Sequence, residues 1–163
     1  MSNTDPLKHG WWVVALSRQI IDRPRKVMVH DRPWVLWRGA DGTLGVLADY
    51  CPHRGAPLSQ GKVEGCQIVC PYHGWAFGSD GVCTHMPALQ AVPGRIVARR
   101  LDVREQGGFV LVRDPQTAPH HSETGLPKPI LPDAHVRFLH QTVISEIADV
   151  AENALDTTHT SIV

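Results

Sequence analysis

A chain of 163 residues with 42% hydrophobic and 20% charged content can bury one good core and at most the start of a second. Its sixteen basic and sixteen acidic residues cancel, and no basic run of the kind that tracks phosphates occurs, which argues against nucleic acid as a partner. No stretch reaches the roughly 18 continuous apolar residues of a membrane-spanning helix, and the start MSNTDPLKHGWW lacks the basic flank and apolar core of a signal peptide. The expected setting is a reducing cytoplasm, with no membrane partner.

In chain order, short apolar runs alternate with turn signals. WWVVAL (11–16), KVMVH (26–30), WVLWR (34–38) and LGVLA (44–48) have strand length and β-branched or aromatic content, and Asp41-Gly42 between the last two is a hairpin signal. Asp80-Gly81 marks another turn, LDVR (101–104) alternates apolar and charged residues, and GFVLVR (108–113) closes the series. These elements predict a compact antiparallel β domain. From 114 to 134 five prolines break any ladder and no apolar period survives, so this stretch reads as a surface connector. After it come one more strand candidate, HVRFLHQTV (135–143), and a segment of helical composition, EIADVAENALDTTH (146–159), too few elements to make a domain. No internal repeat is evident.

The chemistry concentrates in two short motifs. Cys51-Pro52-His53 is followed, after sixteen intervening residues, by Cys70-Pro71-Tyr72-His73. Two thiolates and two imidazoles offered from two loops form the mixed ligand set that holds a Rieske 2Fe-2S cluster, each loop giving one sulfur to one iron and one nitrogen to the other. Two neutral imidazoles in place of two thiolate anions make the cluster less negative, so an added electron costs less. Pro after each Cys and Gly74 after the second His suit loops that bend tightly, with φ fixed at some positions and no side chain at others. Either motif alone is often chance, and a lone His is more often structural than a ligand. A structural zinc site would accept two Cys and two His, but zinc fingers pair Cys with Cys and His with His. The remaining cysteines, Cys66 and Cys83, are expected to be small buried apolar residues.

On these residues the chain resembles the Rieske non-haem iron oxygenases, the terminal components of aromatic ring-hydroxylating and O-demethylating systems. CPHRGAPLSQG (51–61) and CPYHGWAF (70–77) resemble the two cluster loops, and HGWWVVALSRQI (9–20) is similar to the start of the branch that includes vanillate demethylase and phthalate oxygenase. The likeness covers about 7–163. It implies an all-β Rieske domain over 7–113, an antiparallel β-sandwich with a small cluster-binding subdomain. A Pro-rich connector over 114–134 would follow, then at 135–163 a short α+β stub of a helix-grip catalytic domain. Cys51, His53, Cys70 and His73 would bind the cluster. The membrane-anchored cytochrome bc class carries a loop disulfide and Ser and Tyr donors to the cluster; the matching positions here are Ala56, Tyr72, Trp75 and Phe77. Without those donors the potential is expected toward the low end of the Rieske span.

NALDTTH (153–159) resembles the family's catalytic helix. By that resemblance His159 is the first histidine ligand of a mononuclear Fe(II), Asp156 bridges it to a cluster histidine of a neighbouring subunit, and Asn153 lies one turn earlier. Offsets of three share a helix face; the bland alternative, that Asp156 and His159 merely cap or decorate an ordinary helix, would be favoured only without the upstream cluster loops. The family's second histidine falls five residues after His159 and its carboxylate much later, completing the 2-His-1-carboxylate triad. Since the sequence stops at Val163, the likeness implies a truncated α subunit with one of three iron ligands. The complete protein would be a homo-oligomer, a trimer by resemblance. It would take electrons from a reductase or ferredoxin and hydroxylate or demethylate a small aromatic or related apolar substrate with O₂. The alternative is a stand-alone Rieske ferredoxin, for which nothing beyond about residue 113 is needed. The other histidines, His9, His30, His85, His120, His121, His135 and His140, read as structural or solvated.

Overall fold

The computed structural model describes residues 10–116, 144–146 and 148–150. The chain divides into two units, Met1–Lys128 and Pro129–Val163. The first carries the strands found among the described residues. They are β1 (Trp12–Leu16), β2 (Arg25–Val29), β3 (Arg32–Arg38), β4 (Leu44–Ala48), β5 (Lys62–Glu64), β6 (Gln67–Val69), β7 (Ala76–Phe77), β8 (Cys83–His85), β9 (Asp102–Gln106) and β10 (Phe109–Arg113). All pair antiparallel, in three sheets of order β1-β10-β9, β2-β3-β4 and β5-β6-β7-β8, as the expectation of an all-β antiparallel domain requires. Among the described residues no helix is long and apolar enough to cross a membrane.

The apolar run of β3 explains the layering. Successive strand side chains point to opposite faces, and here both faces are buried. Trp34 and Leu36 join Val46, Leu101, Val110 and Val112 in one core, while Val35 and Trp37 join Leu47, Ile68 and Phe77 in the other. β3 and β4 are thus covered on both sides, which is why they read as continuous apolar runs, whereas β2 alternates, burying Val27 and Val29 and exposing Met28. The second core includes Cys51, Cys70 and Cys83. Both Asp-Gly turns form as anticipated. The Asp41 and Asp80 carboxylates accept from the N–H groups of Thr43 and Val82, at 2.9 and 3.0 Å, and Gly42 and Gly81 adopt φ of +85° and +82°.

Sequence reading missed the whole four-stranded sheet. Its strands are two or three residues long, too short to show a period, and β5 and β6 turn at Gly65-Cys66 with Gly65 at φ +58°. That is the first central position of a two-residue hairpin, where a type II′ turn favours glycine. The turn also corrects the expectation for Cys66, which is exposed: a side chain at a hairpin tip has no layer to pack under. Cys83, on β8, is buried as expected.

An ion pair ties the middle sheet to the outer one. Arg38 at the end of β3 donates to both Glu105 carboxylate oxygens, at 3.0 and 2.7 Å, and to the Ile20 carbonyl at 2.9 Å. This bidentate pairing, with Ser17 donating to the same carboxylate, holds the Glu105 carboxyl down at about 2. A depressed folded value contributes stability above the unfolded one, about 4.3, and that contribution is lost as pH falls through about 2. The Glu105 side chain is 38% exposed, so solvent screening holds the contribution to about 0.5–1 kcal/mol. Glu105→Gln is expected to lower Tm at pH 7, with the gap to the parent closing between pH 4.5 and pH 2; a gap constant across that range would contradict the pairing.

In the second unit, Val150 N–H donates to the Glu146 carbonyl at 3.3 Å and Ser145 Oγ contacts Asp149 Oδ2 at 3.2 Å, where residues 148–150 are helical. The strand anticipated at 135–143 lies outside the described residues.

Candidate metal centre

Two loops of like construction carry the motif residues. The first leaves β4 and runs over 51–56: Cys51 N–H donates to the Ala56 carbonyl and Gly55 N–H to the Cys51 carbonyl, both at 2.8 Å. The second joins β6 to β7 over 70–75: Cys70 N–H donates to the Trp75 carbonyl at 2.8 Å and Gly74 N–H to the Cys70 carbonyl at 3.1 Å. Gly55 and Gly74 hold φ of +72° and +70°, a region open mainly to glycine. At Gly74 a Cβ would also come within 2.9 Å of Pro87 Cγ.

The segment after the first loop is fastened as well. Leu58 is fully buried, and the Asp49 carboxylate, 6% exposed, accepts from Ser59 N–H and Ser59 Oγ, both at 2.7 Å. A carboxylate taken from water is costly unless it is hydrogen-bonded, and this one is satisfied by a residue just beyond the loop. Sequence reading passed over Asp49, because a lone acid before a motif signals nothing until its partner is seen.

The loops bring all four motif residues together, sorted by type. Cys51 and Cys70 are 2% and 3% exposed and share one buried cluster. His53 and His73 meet at the outer end, with ring centroids 4.6 Å apart and planes inclined by 57°. His53 is half-buried and His73 exposed. Burial pushes the Cys51 thiol up to about 11, and the neighbouring Cys70 adds to it. Partial desolvation, then the charges of His73 and Arg54, hold His53 below the ordinary imidazole value, favouring the neutral ring that can ligate a metal.

A 2Fe-2S cluster fits this arrangement. The Nδ1 atom of His53 is buried with no hydrogen-bond partner, and a buried polar atom without a partner calls for an explanation. A metal bond at that lone pair supplies one. The candidate ligands come as a thiol pair and a ring pair. A two-iron cluster uses such pairs, whereas zinc needs its four ligands around one centre. All four cysteines are free thiols, and Phe77 is fully buried. Trp75 lies flat on His53, with centroids 4.4 Å apart and planes within 1°. That contact crosses from one loop to the other and leaves no trace in spacing.

His30 and His85 lie outside this cluster. His30 occupies the β2–β3 turn at φ 48°, edge-on to Trp12 at 4.3 Å, and His85 is exposed on β8. Asn153, Asp156 and His159, together with His9, His120, His121, His135 and His140, lie outside the described residues.

Comparison with known proteins gives the same reading. Residues 10–98 match the Rieske 2Fe-2S domain. The chain is 30% identical over 169 residues to aminopyrrolnitrin oxygenase PrnD of Pseudomonas fluorescens, a match covering 96% of this chain and 46% of that protein. It is 36% identical over 105 residues to the vanillate O-demethylase oxygenase subunit of a Pseudomonas species (strain HR199 / DSM 7063), covering 64% of this chain and 29% of that one. The crystal structure of dicamba monooxygenase bound to dicamba superposes with a TM-score of 0.66 at 31% identity, over 75% of this chain and 39% of that one. The chain thus spans less than half the length of each. With matched loops, matched sequence and matched fold, the chain belongs to the Rieske 2Fe-2S family, in the branch formed by the oxygenase components of Rieske oxygenases.

Proposed function

We propose that Cys51, His53, Cys70 and His73 hold the 2Fe-2S cluster, and that this domain passes reductase-supplied electrons toward an oxygenase site. The observation that carries the reading is the sorting of the four side chains, a buried thiol pair behind a ring pair of which His73 reaches the surface. When bound, the cluster supplies a one-electron acceptor and donor. The chain's own part is to give up two buried thiol protons, keep His53 neutral, exclude water from the sulfur end and present His73 to a partner. An electron donor, a reductase or a ferredoxin, is the partner this surface serves.

For the complete protein we propose hydroxylation or demethylation of a small aromatic or related apolar substrate with O₂. Residues 7–113 are assigned to the Rieske domain, 114–134 to the connector and 135–163 to the start of the catalytic domain. His159 is the proposed first ligand of a mononuclear Fe(II). Asp156 bridges it to a cluster histidine of a neighbouring subunit in a trimer, and Asn153, one turn earlier, belongs to the same catalytic site, behind the iron ligands rather than on the iron. Likeness to an oxygenase over 96% of the chain, well past the end of the Rieske match at residue 98, supports this over a stand-alone ferredoxin.

The test is electrochemical. Reduction by dithionite or a nicotinamide-fed reductase should bleach the chain reversibly. The midpoint should fall toward about −150 mV, because Trp75 and Phe77 offer the cluster no hydroxyl donors, and it should vary little with pH near neutrality. A midpoint well above about +100 mV would contradict the proposal, since it belongs to the high-potential end of the range.

A further inference from the structure

The two cluster loops share a backbone and part company at the residue that closes each. Both Cys N–H groups donate to the carbonyl five residues on, and both Gly N–H groups donate back to the Cys carbonyl. The closing residue is Ala56 in the first loop and Trp75 in the second. A methyl group is too short to cover a neighbouring ring, whereas the Trp75 indole crosses the gap and lies parallel to His53 at 4.4 Å. His73 has no such cross-loop cover. The rings against it are inclined ones: His53, at 57° and 4.6 Å, and its own chain neighbour Tyr72, at 30° and 3.8 Å, which is 65% exposed.

Parallel contact of this kind restricts rotation of the imidazole about its bond to the backbone side, and that rotation sets where Nδ1 points. His53 Nδ1 is the buried atom with no hydrogen-bond partner, so no hydrogen bond holds it in place. The indole also occupies a face that water would otherwise wet. We propose that Trp75 is the positioning residue for His53, fixing its ring plane and keeping one face dry. The two histidine ligands are thereby unequal, His53 held and His73 left to meet a partner. This rests on the assignment of both histidines as cluster ligands. Reduction adds negative charge to the cluster, and water near a ligand stabilises added charge. Removal of the cover therefore raises the potential.

The test uses the full chain loaded with its cluster, in Trp75→Leu and Trp75→Phe forms, with iron and sulfide content measured first. Pulsed EPR of the reduced protein in D₂O then reads the two imidazole nitrogen couplings and the deuterium modulation from nearby water. In Trp75→Leu we expect one nitrogen coupling to shift or broaden while the other stays, the deuterium modulation to rise, and the reduced-to-oxidised ratio to shift by the order of tenfold, about 59 mV for a one-electron couple. Trp75→Phe, which keeps a ring on His53, should restore both couplings toward the parent. Loading of the Phe form but not the Leu form also supports a need for the ring. Two variants that match the parent, two couplings that change equally, or loss of the cluster in both variants would overturn the role of Trp75. A parent chain lacking two nitrogen couplings would instead remove the ligand assignment beneath it.

Discussion

Replacing Cys70 with serine is expected to leave the chain without either iron. Cys70 is 3% exposed, shares a buried cluster with Cys51, and its N–H closes the second loop on the Trp75 carbonyl. A serine hydroxyl, far harder to deprotonate, holds iron much more weakly than the thiolate proposed to bind the cluster, and metal affinity in a site formed by folding is also folding free energy. Loss should therefore appear both as absent iron and sulfide and as a lower Tm than the loaded parent. The other cysteines are the controls. Cys83→Ser buries a hydroxyl where the thiol is 5% exposed and should cost about 1–3 kcal/mol while keeping the cluster. Cys66→Ser, at the exposed hairpin tip, should stay within about 0.5 kcal/mol of the parent. Iron analysis and thermal melts of the three variants check the series; a Cys70→Ser chain with full iron would contradict the ligand assignment.

Gly61→Ala is expected to damage the fold and the centre together. An added Cβ at Gly61 would lie 2.0 Å from the Val69 carbonyl oxygen and 3.0 Å from that of Leu58. Both are backbone atoms, so no side chain can swing aside. Val69 pairs with Lys62 across β5 and β6 and immediately precedes Cys70, so relief of the clash must move the start of the second cluster loop. Overpacking costs about 1–3 kcal/mol, and more where backbone has to yield. The expected result is a lower Tm and incomplete cluster loading in the same variant. By contrast Gly55→Ala, where a Cβ meets nothing within 4 Å, should suffer only the strain of its φ of +72°. Equal loading of Gly61→Ala and the parent would show that the second loop does not depend on this close approach.

How much of this was legible in the sequence depended on how local the cause was. β4 could be read at its observed bounds because five apolar residues, all buried, lie between clear turns. The Asp41 and Asp80 turns were legible because the acid and the glycine act within three residues. The cluster motif was readable for the same reason, since Cys and His at offsets of two and three are a local chemical statement. β5 to β8 were not. Short strands paired across Gly65 and across the second cluster loop are held by their neighbours in the sheet rather than by their own pattern. Cys66 was read as buried from its residue type, but its exposure follows from the turn position. Trp75 on His53 and Asp49 on Ser59 are contacts between loops or across ten residues, set by register.

The measurement that tests the central claim most directly is iron, zinc and acid-labile sulfide per chain, taken with the EPR spectrum of the dithionite-reduced protein. The account predicts two irons and two sulfides and a reduced-state signal carrying couplings from two imidazole nitrogens. His73→Cys should turn that spectrum toward the all-thiolate type or abolish the cluster. One zinc per chain with no sulfide, or a signal without nitrogen coupling, would contradict it.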